Sequence, residues 1–194
     1  DIMMVGEIRD RETIDVAIEA SLTGHLVLST IHTNSAVETL TRIDNMGVPP
    51  FLMTATINAI IAQRLVRRLC PDCKKPGEMD EATSITVKNA VDKLPEIERK
   101  NLDPGLLEGM KFYEAGGCEK CDNIGYKGRV GLFEVLEMSN ELRVLIVKKA
   151  TALEIEEAAV KGGMTTLEQN GILHALKGET TLSEVYRVAR PMES

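Results

Sequence analysis

The chain has 194 residues, of which 43% are hydrophobic, so it can bury the core of one domain or of two small ones. Its net charge of −7 argues against a general nucleic-acid binder, because such proteins are usually basic. No stretch reaches the roughly 18 uncharged apolar residues that a membrane-spanning helix needs, and the chain shows no signal-peptide pattern.

The chain opens on an apolar run, Ile2–Val5, which is followed by Gly6 and the carboxylate of Glu7. A short apolar run that ends in turn residues predicts a buried parallel strand. Ligands of open α/β sheets lie beyond the carboxyl ends of the strands, where Glu7 would stand; the alternative is an ordinary strand with a solvated Glu. Because a buried strand is not a natural domain edge, we expect a C-terminal fragment of a longer protein.

The next segments alternate between helix and strand patterns. Helices are predicted at about 11–22, from about Ala36, and at about 50–62, and a second buried strand is predicted at 25–32. A capping-box pattern at Ser35 marks the start of the second helix. This alternation predicts an α/β fold with a parallel sheet as its core.

Two Cys-x-x-Cys pairs follow, and basic residues cluster around the first pair. The four thiols are Cys70, Cys73, Cys118 and Cys121, and the basic residues are Arg64, Arg67, Arg68, Lys74 and Lys75. In a chain with no secretory signal this pattern favours a tetrahedral zinc site over disulfides, and the two identical spacings argue against four unrelated Cys. Neither pair lies at the strand-to-helix junction typical of a redox motif. Four thiolates leave no open position, so the metal would be structural. The basic cluster could meet phosphate, acidic lipid or an acidic partner, or form a solvated rim.

The remaining segments predict one strand and several short helices. We expect a helix near 80–94 inside the polar insert, a strand at 128–138 and a helix at about 141–149. Capping-box patterns follow at Thr151/Glu154, Thr165/Glu168 and Thr181/Glu184. The expected division is an α/β part at 1–67, a tetracysteine zinc subdomain at 68–127 and a mainly helical C-terminal subdomain at 128–194.

Two histidines flank the second predicted strand. Seven strand residues span about 23 Å, so His25 and His32 cannot share one ion. If the strands are parallel, His32 lies at the same sheet edge as Glu7, where it can donate a hydrogen bond to a phosphate. Glu7 can hold Mg²⁺ or polarise an attacking water. Arg9 and Asp10 either orient this site or pair with each other.

Several motifs together resemble a known family. Asp1–Asp10 resembles the Walker B segment of the secretion ATPase superfamily, and Gly24–Asn34 resembles its His box. Ala62–Cys70 with the four Cys is similar to the subgroup that powers type II secretion and type IV pilus assembly, as are Gly128–Leu136 and Gly163–Gly171. Pilus retraction ATPases generally lack the Cys pairs.

The resemblance implies a partial RecA-like P-loop NTPase sheet. Glu7 would be the Walker B glutamate acting on Mg²⁺ and its water, and His32 would lie near the γ-phosphate of ATP, with His25 its partner in the His box. The complete protein would be a homo-hexameric ATPase, peripheral to the cytoplasmic face of the bacterial inner membrane. It would move an inner-membrane platform protein and would not bind nucleic acid.

Departures from the family pattern limit what this chain does alone. It contains no G-x-x-x-x-G-K-[ST] motif, and the family's upstream acidic box and N-terminal arginines are also missing. We therefore expect the fragment alone not to hydrolyse ATP. The main rival is a non-enzymatic zinc-ribbon-like interaction module, and a nearer rival is a retraction or DNA-uptake motor.

Overall fold

A computed structural model describes residues 1–102, 105 and 110–189 of the chain. Contacts divide it into two compact units. The first combines Asp1–Ala62 with Val135–Met164, and the second combines Gln63–Glu134 with the segment that begins at Thr165. No helix in the described ranges is long and apolar enough to cross a membrane.

The described residues form α-helices and strands of an α/β protein. The strands are β1 (Ile2–Met4), β2 (Leu26–Leu28), β3 (Ala59–Leu69), β4 (Lys75–Gly77), β5 (Phe112–Glu114) and β6 (Tyr126–Glu137). The helices are α1 (Arg11–Leu22), α2 (Ala36–Asn45), α3 (Pro50–Thr56), α4 (Glu81–Asp92), α5 (Glu96–Asn101), α6 (Asn140–Val147), α7 (Ala152–Lys161), α8 (Leu167–Leu176) and α9 (Leu182–Val188).

In the first unit, β1 and β2 pair in parallel, with Ile2 opposite Leu26 and Met4 opposite Leu28. The predicted parallel pairing is confirmed, but the predicted burial is wrong. These four side chains are between 46% and 79% exposed. Among the described residues this sheet has only two strands, and α1 contacts β2.

Helix α1 begins and ends where the sequence predicts. The Asp10 side chain caps its first turn by accepting a hydrogen bond from the Thr13 backbone N–H at 2.8 Å. Ile14, Ala17 and Ile18 form its buried stripe. Gly24 follows with φ of +93°, a conformation that favours glycine and turns the chain into β2.

The predicted helix at 50–62 is wrong beyond its first two turns. Helix α3 ends at Thr56, and β3 begins at Ala59. In β3 the burial alternates, with Ala62 and Val66 buried and Ile61 and Leu65 exposed, which is the two-residue period of a strand. The mainly apolar segment 57–62 fits either period, so the local pattern does not distinguish a helix from a strand here.

Strand β3 pairs with β6 in an antiparallel ribbon. At one end the Met138 N–H donates to the Asn58 carbonyl, and at the other the Cys70 N–H donates to the Gly125 carbonyl. The start of β3 thus lies beside the end of β6, and the end of β3 lies beside the start of β6, so the two strands run antiparallel. Strand β6 confirms the strand predicted at 128–138 and begins two residues earlier.

In the second unit, α4, α8 and α9 pack around a core of aliphatic side chains. The core includes Val87, Val91, Leu132, Ile172, Leu173 and Val185. Gly171 lies where α8 meets α9, and a Cβ there would approach Val185 Cγ1 to 2.4 Å. A side chain at this position would force the two helices apart.

The capping-box predictions have different outcomes. Thr151 and Glu154 form a reciprocal box at α7, as predicted. The second box is formed by Thr166 and Gln169, one residue later than predicted, because α8 begins at Leu167. Thr181 caps α9, but the Glu184 carboxylate turns away from the Thr181 backbone.

Glu184 is a buried carboxylate held between two arginines. It is only 2% exposed, and Arg67 Nη2 and Arg187 Nη2 donate to it at 2.7 and 2.9 Å. Burial raises its pKa, but the hydrogen bonds from Arg67 and Arg187 outweigh this and lower the pKa to about 2. Arg67 also lies 4.1 Å from the centre of the Tyr126 ring. This member of the basic cluster therefore anchors α9, although half of its side chain is exposed.

We expect Glu184→Gln to change how stability depends on pH. A carboxyl whose pKa falls from 4.5 to about 2 on folding stabilises the folded state above pH 4.5, and this contribution is lost as the pH falls toward 2. The Tm difference between wild type and Glu184→Gln should thus be largest near neutral pH and shrink on acidification. The exposed Glu157→Gln variant serves as control; equal pH profiles for wild type and Glu184→Gln would contradict the prediction.

Candidate functional site

The parallel pairing of β1 with β2 brings their carboxyl ends to one edge. Beyond the strands, the Val5 N–H donates to the Leu28 carbonyl and the Ile8 N–H donates to the Thr30 carbonyl, both at 2.9 Å. The Thr30 hydroxyl donates to the Gly6 carbonyl at 2.8 Å. These bonds hold the segment that carries Glu7 beside the segment that leads to His32.

Glu7, Arg9 and His32 form one charged cluster at this edge. Arg9 Nη2 lies 2.5 Å from Glu7 Oε2, and His32 Nε2 contacts Glu7 Oε1. The Glu7 side chain is 22% exposed, whereas those of Arg9 and His32 are 73% and 80% exposed. The structure thus brings together three of the four residues predicted to form the catalytic site.

The cluster keeps Glu7 ionised. The hydrogen bond from Arg9 is the largest cause that lowers the pKa of this carboxyl, and His32 adds to it. Glu7 Oε1 is shielded from solvent and accepts no hydrogen bond of normal geometry from the described residues. A carboxylate with a lowered pKa is a weak proton acceptor but a good ligand for a cation or a polarised water.

Arg9 and Asp10 do not pair with each other. Arg9 contacts Glu7, while Asp10 caps α1 through the Thr13 backbone N–H. Of the two roles considered from the sequence, the geometry favours orientation of Glu7 by Arg9.

His25 lies away from this cluster. It immediately precedes β2, and its Nδ1 is 3.2 Å from the Ala20 carbonyl oxygen and 3.1 Å from Thr23 Oγ1. These contacts place it against the last turn of α1, at the amino end of β2, whereas Glu7 and His32 follow the carboxyl ends of the strands.

The four cysteines converge in the second unit, beside the short antiparallel pair of β4 and β5. All four sulfur atoms lie within 4.8 Å of one another. The separations are 3.9 Å for Cys70–Cys118 and 3.7 Å for both Cys73–Cys121 and Cys118–Cys121. These distances are far longer than the roughly 2.05 Å of a disulfide bond.

The sulfur separations fit a tetrahedral metal. Metal–sulfur bonds of about 2.3 Å in tetrahedral geometry place the sulfurs about 3.8 Å apart. Gly116 permits this close approach, because a Cβ there would lie 2.1 Å from the Cys73 carbonyl oxygen. The four thiols can therefore hold one metal ion with no further ligand.

The surroundings of Cys73 and Cys121 shift the pKa values of these two thiols in opposite directions. Burial and the neighbouring thiols raise the pKa of Cys73 to about 12. Burial also opposes ionisation of Cys121, but the backbone N–H groups of Cys118 and Gly125 donate to its sulfur, and its pKa falls to about 7. Backbone donors of this kind stabilise a metal-bound thiolate.

An ion pair joins the two Cys-x-x-Cys turns. Lys120, inside the second pair, lies 2.5 Å from the carboxylate of Asp72, inside the first. The interaction raises the pKa of Lys120 and lowers that of Asp72. This contact between two side chains, both exposed, links the turns independently of the thiols.

Comparison with known proteins places the chain in a family. The family model described as "Type II/IV secretion system protein" matches residues 1–187. The chain belongs to this family. It is 45% identical to the "Type IV pilus assembly ATPase PilB" of Myxococcus xanthus over 95% of this chain and 31% of that protein. It is 41% identical to the "Type II secretion system ATPase E" of Vibrio cholerae over 98% of this chain and 35% of that protein.

Among solved structures, the chain's fold resembles that of the pilus retraction motor PilT bound to ADP, with a TM-score of 0.61 and 21% identity. The match covers 99% of this chain and 40% of that one. An identity this low shows a shared α/β fold alone. The chain spans about a third of the length of the curated relatives named above.

We expect the purified protein to carry about one tetrahedrally bound metal ion per chain. Cys70→Ser should lose the metal and open the segment between the Cys pairs to limited proteolysis, because metal binding and local folding are linked. Glu119→Gln, which changes an exposed residue inside the second pair and keeps all four thiols, is the matched control. Elemental analysis that finds no metal in the wild type would contradict the site.

Proposed function

We propose that this chain is part of a cytoplasmic motor ATPase that couples ATP hydrolysis to type IV pilus assembly or type II secretion. The observation that carries the proposal is the Glu7 carboxylate at the carboxyl ends of two parallel strands, where α/β proteins bind nucleotides. The similarity to pilus assembly and secretion ATPases supports it.

Within this proposal, Glu7 is the Walker B carboxylate. Its ionised state suits a role in which it holds Mg²⁺, directly or through water, and orients the attacking water. Mg²⁺, when bound, would neutralise charge on the ATP phosphates. His32, whose imidazole contacts Glu7, would donate a hydrogen bond to the γ-phosphate, and Arg9 orients the carboxylate.

The rest of the nucleotide site would come from other parts of a longer protein. The chain contains no G-x-x-x-x-G-K-[ST] pattern, and the curated relatives are about three times as long. We therefore expect the phosphate-binding loop, further catalytic groups and much of a hexamer interface to lie outside this chain. The chain alone should not hydrolyse ATP.

We assign the tetracysteine cluster to structural Zn²⁺. Zinc accepts four thiolates in tetrahedral geometry, and the sulfur separations fit such an ion. The closed ligand set gives the metal no open position for catalysis. The complete protein is expected to act at the inner face of the bacterial inner membrane on a platform protein of the pilus or secretion system.

Assembly or secretion is favoured over retraction. The assembly and secretion ATPases are 45% and 41% identical to this chain, and the chain carries the four clustered cysteines that pilus retraction ATPases generally lack. An ionised carboxylate and a histidine that meet at the carboxyl ends of parallel strands also favour an enzyme over a non-enzymatic interaction module.

We expect Glu7→Gln in the full-length protein to lower ATP turnover by a factor on the order of 100 or more, because the amide can neither hold Mg²⁺ nor polarise water as a carboxylate does. Nucleotide affinity should change little. Turnover is measured by phosphate release and affinity by equilibrium binding of an ATP analogue.

Glu12→Gln is the matched control, because Glu12 is an exposed carboxylate five residues further along the chain. It should hydrolyse ATP at the wild-type rate. Normal turnover by Glu7→Gln would remove Glu7 from the mechanism.

A further inference from the structure

The loop that carries His32 lies between β2 and α2 and has no regular secondary structure of its own. Three side chains of α2 bond to it. Arg42 Nη1 donates to the His32 carbonyl at 3.1 Å, and Glu38 Oε2 accepts from the Asn34 N–H at 2.8 Å. The Thr39 hydroxyl lies 2.8 Å from the Thr33 hydroxyl. Helix α2 therefore forms hydrogen bonds to three consecutive residues of the loop.

The helix itself is firmly anchored. Val37, Leu40 and Ile43 are buried in the first unit, and Thr39 is only 7% exposed. Because these apolar residues fix α2, the groups that it presents to the loop have defined positions. Arg42 stands on the exposed side of the helix and reaches back over one turn to the loop.

The position of His32 depends on these hydrogen bonds more than the position of Glu7 does. Its side chain is 80% exposed, so packing does not fix the imidazole, whereas Glu7 is held within a segment bonded to β2. Apart from its contact with Glu7 Oε1, the imidazole is therefore positioned by its own backbone. The Arg42 guanidinium is the α2 group that bonds directly to the His32 carbonyl.

We propose that Arg42 is a positioning residue of the ATPase site, which holds the His32 imidazole against Glu7 by fixing the His32 carbonyl. This inference rests on the proposed function. Arg42 does not touch the nucleotide or the reacting atoms in this role; it acts through His32. No sequence pattern indicates this role, since Arg42 lies ten residues from His32 on a helix with ordinary amphipathic spacing.

The test is a double-mutant cycle in the full-length protein. Arg42→Ala should lower kcat on the order of tenfold and leave the KM for ATP nearly unchanged, because a misplaced group weakens the reaction step and not substrate binding. Arg42→Lys, which keeps a donor, should restore most of the rate. In a His32→Ala background, Arg42→Ala should cause no further loss.

Hydrogen exchange supplies a readout that does not depend on turnover. Backbone amides in residues 32–34 should exchange faster in Arg42→Ala than in wild type. Thr41→Ala changes an exposed neighbour on the same helix and should alter neither exchange nor kcat.

The outcomes separate the two claims. Equal losses from Arg42→Ala in the wild-type and His32→Ala backgrounds, or unchanged exchange at 32–34, overturn the positioning role and leave the proposed function standing. Absence of ATP turnover in the wild-type protein overturns the proposed function, and the positioning role with it.

Discussion

The parallel register between β1 and β2 is the constraint on which the candidate site depends. Placing Ile2 beside Leu26 makes both strands end at the same edge, and the backbone bonds beyond them carry this alignment to Glu7 and Thr30. An antiparallel pairing, or a register shifted by several residues, would separate Glu7 from His32. The chemistry of this edge therefore follows from main-chain hydrogen bonds between two three-residue strands, and the side chains add to an arrangement that the backbone has already fixed.

The second unit is held together differently. The whole chain has no Trp and only three Phe and three Tyr, so aromatic packing contributes little to either core. The second unit combines an aliphatic core with two polar centres, the thiol cluster and the buried Glu184 between its arginines. Both centres are stable only when complete, because a buried thiolate or carboxylate without its partners is costly. Lys74, next to Cys73, also donates to the Gly178 carbonyl and so links the first cysteine turn to the segment that leads into α9.

Local patterns in the sequence predicted some features of the fold well and others poorly. The bounds of α1, the start of α2 and the parallel pairing of β1 with β2 could be predicted, because capping residues and apolar runs act over a few positions. Strand β3 could not, since its first residues fit a helix as well as a strand and the antiparallel pairing with β6 that decides the matter comes from more than 50 residues away. The cysteine cluster was predictable from spacing alone. The roles of Arg67 and Arg42 were not, because their partners, Glu184 and the His32 carbonyl, are set by tertiary contacts.

The exposure of Arg9 and His32 bears on how Glu7 can act. A carboxylate whose partners were buried could not readily exchange them, since breaking such pairs leaves uncompensated charge in a low-dielectric environment. Arg9 and His32 are largely exposed and water can replace them, so Glu7 can exchange one partner for a cation without a large penalty. The same exposure leaves the His32 imidazole without packing to hold it. The site thus combines a carboxylate that can exchange its partners with a histidine whose position depends on backbone contacts to α2. Because of this combination, Arg42 has a role beyond that of an ordinary surface arginine.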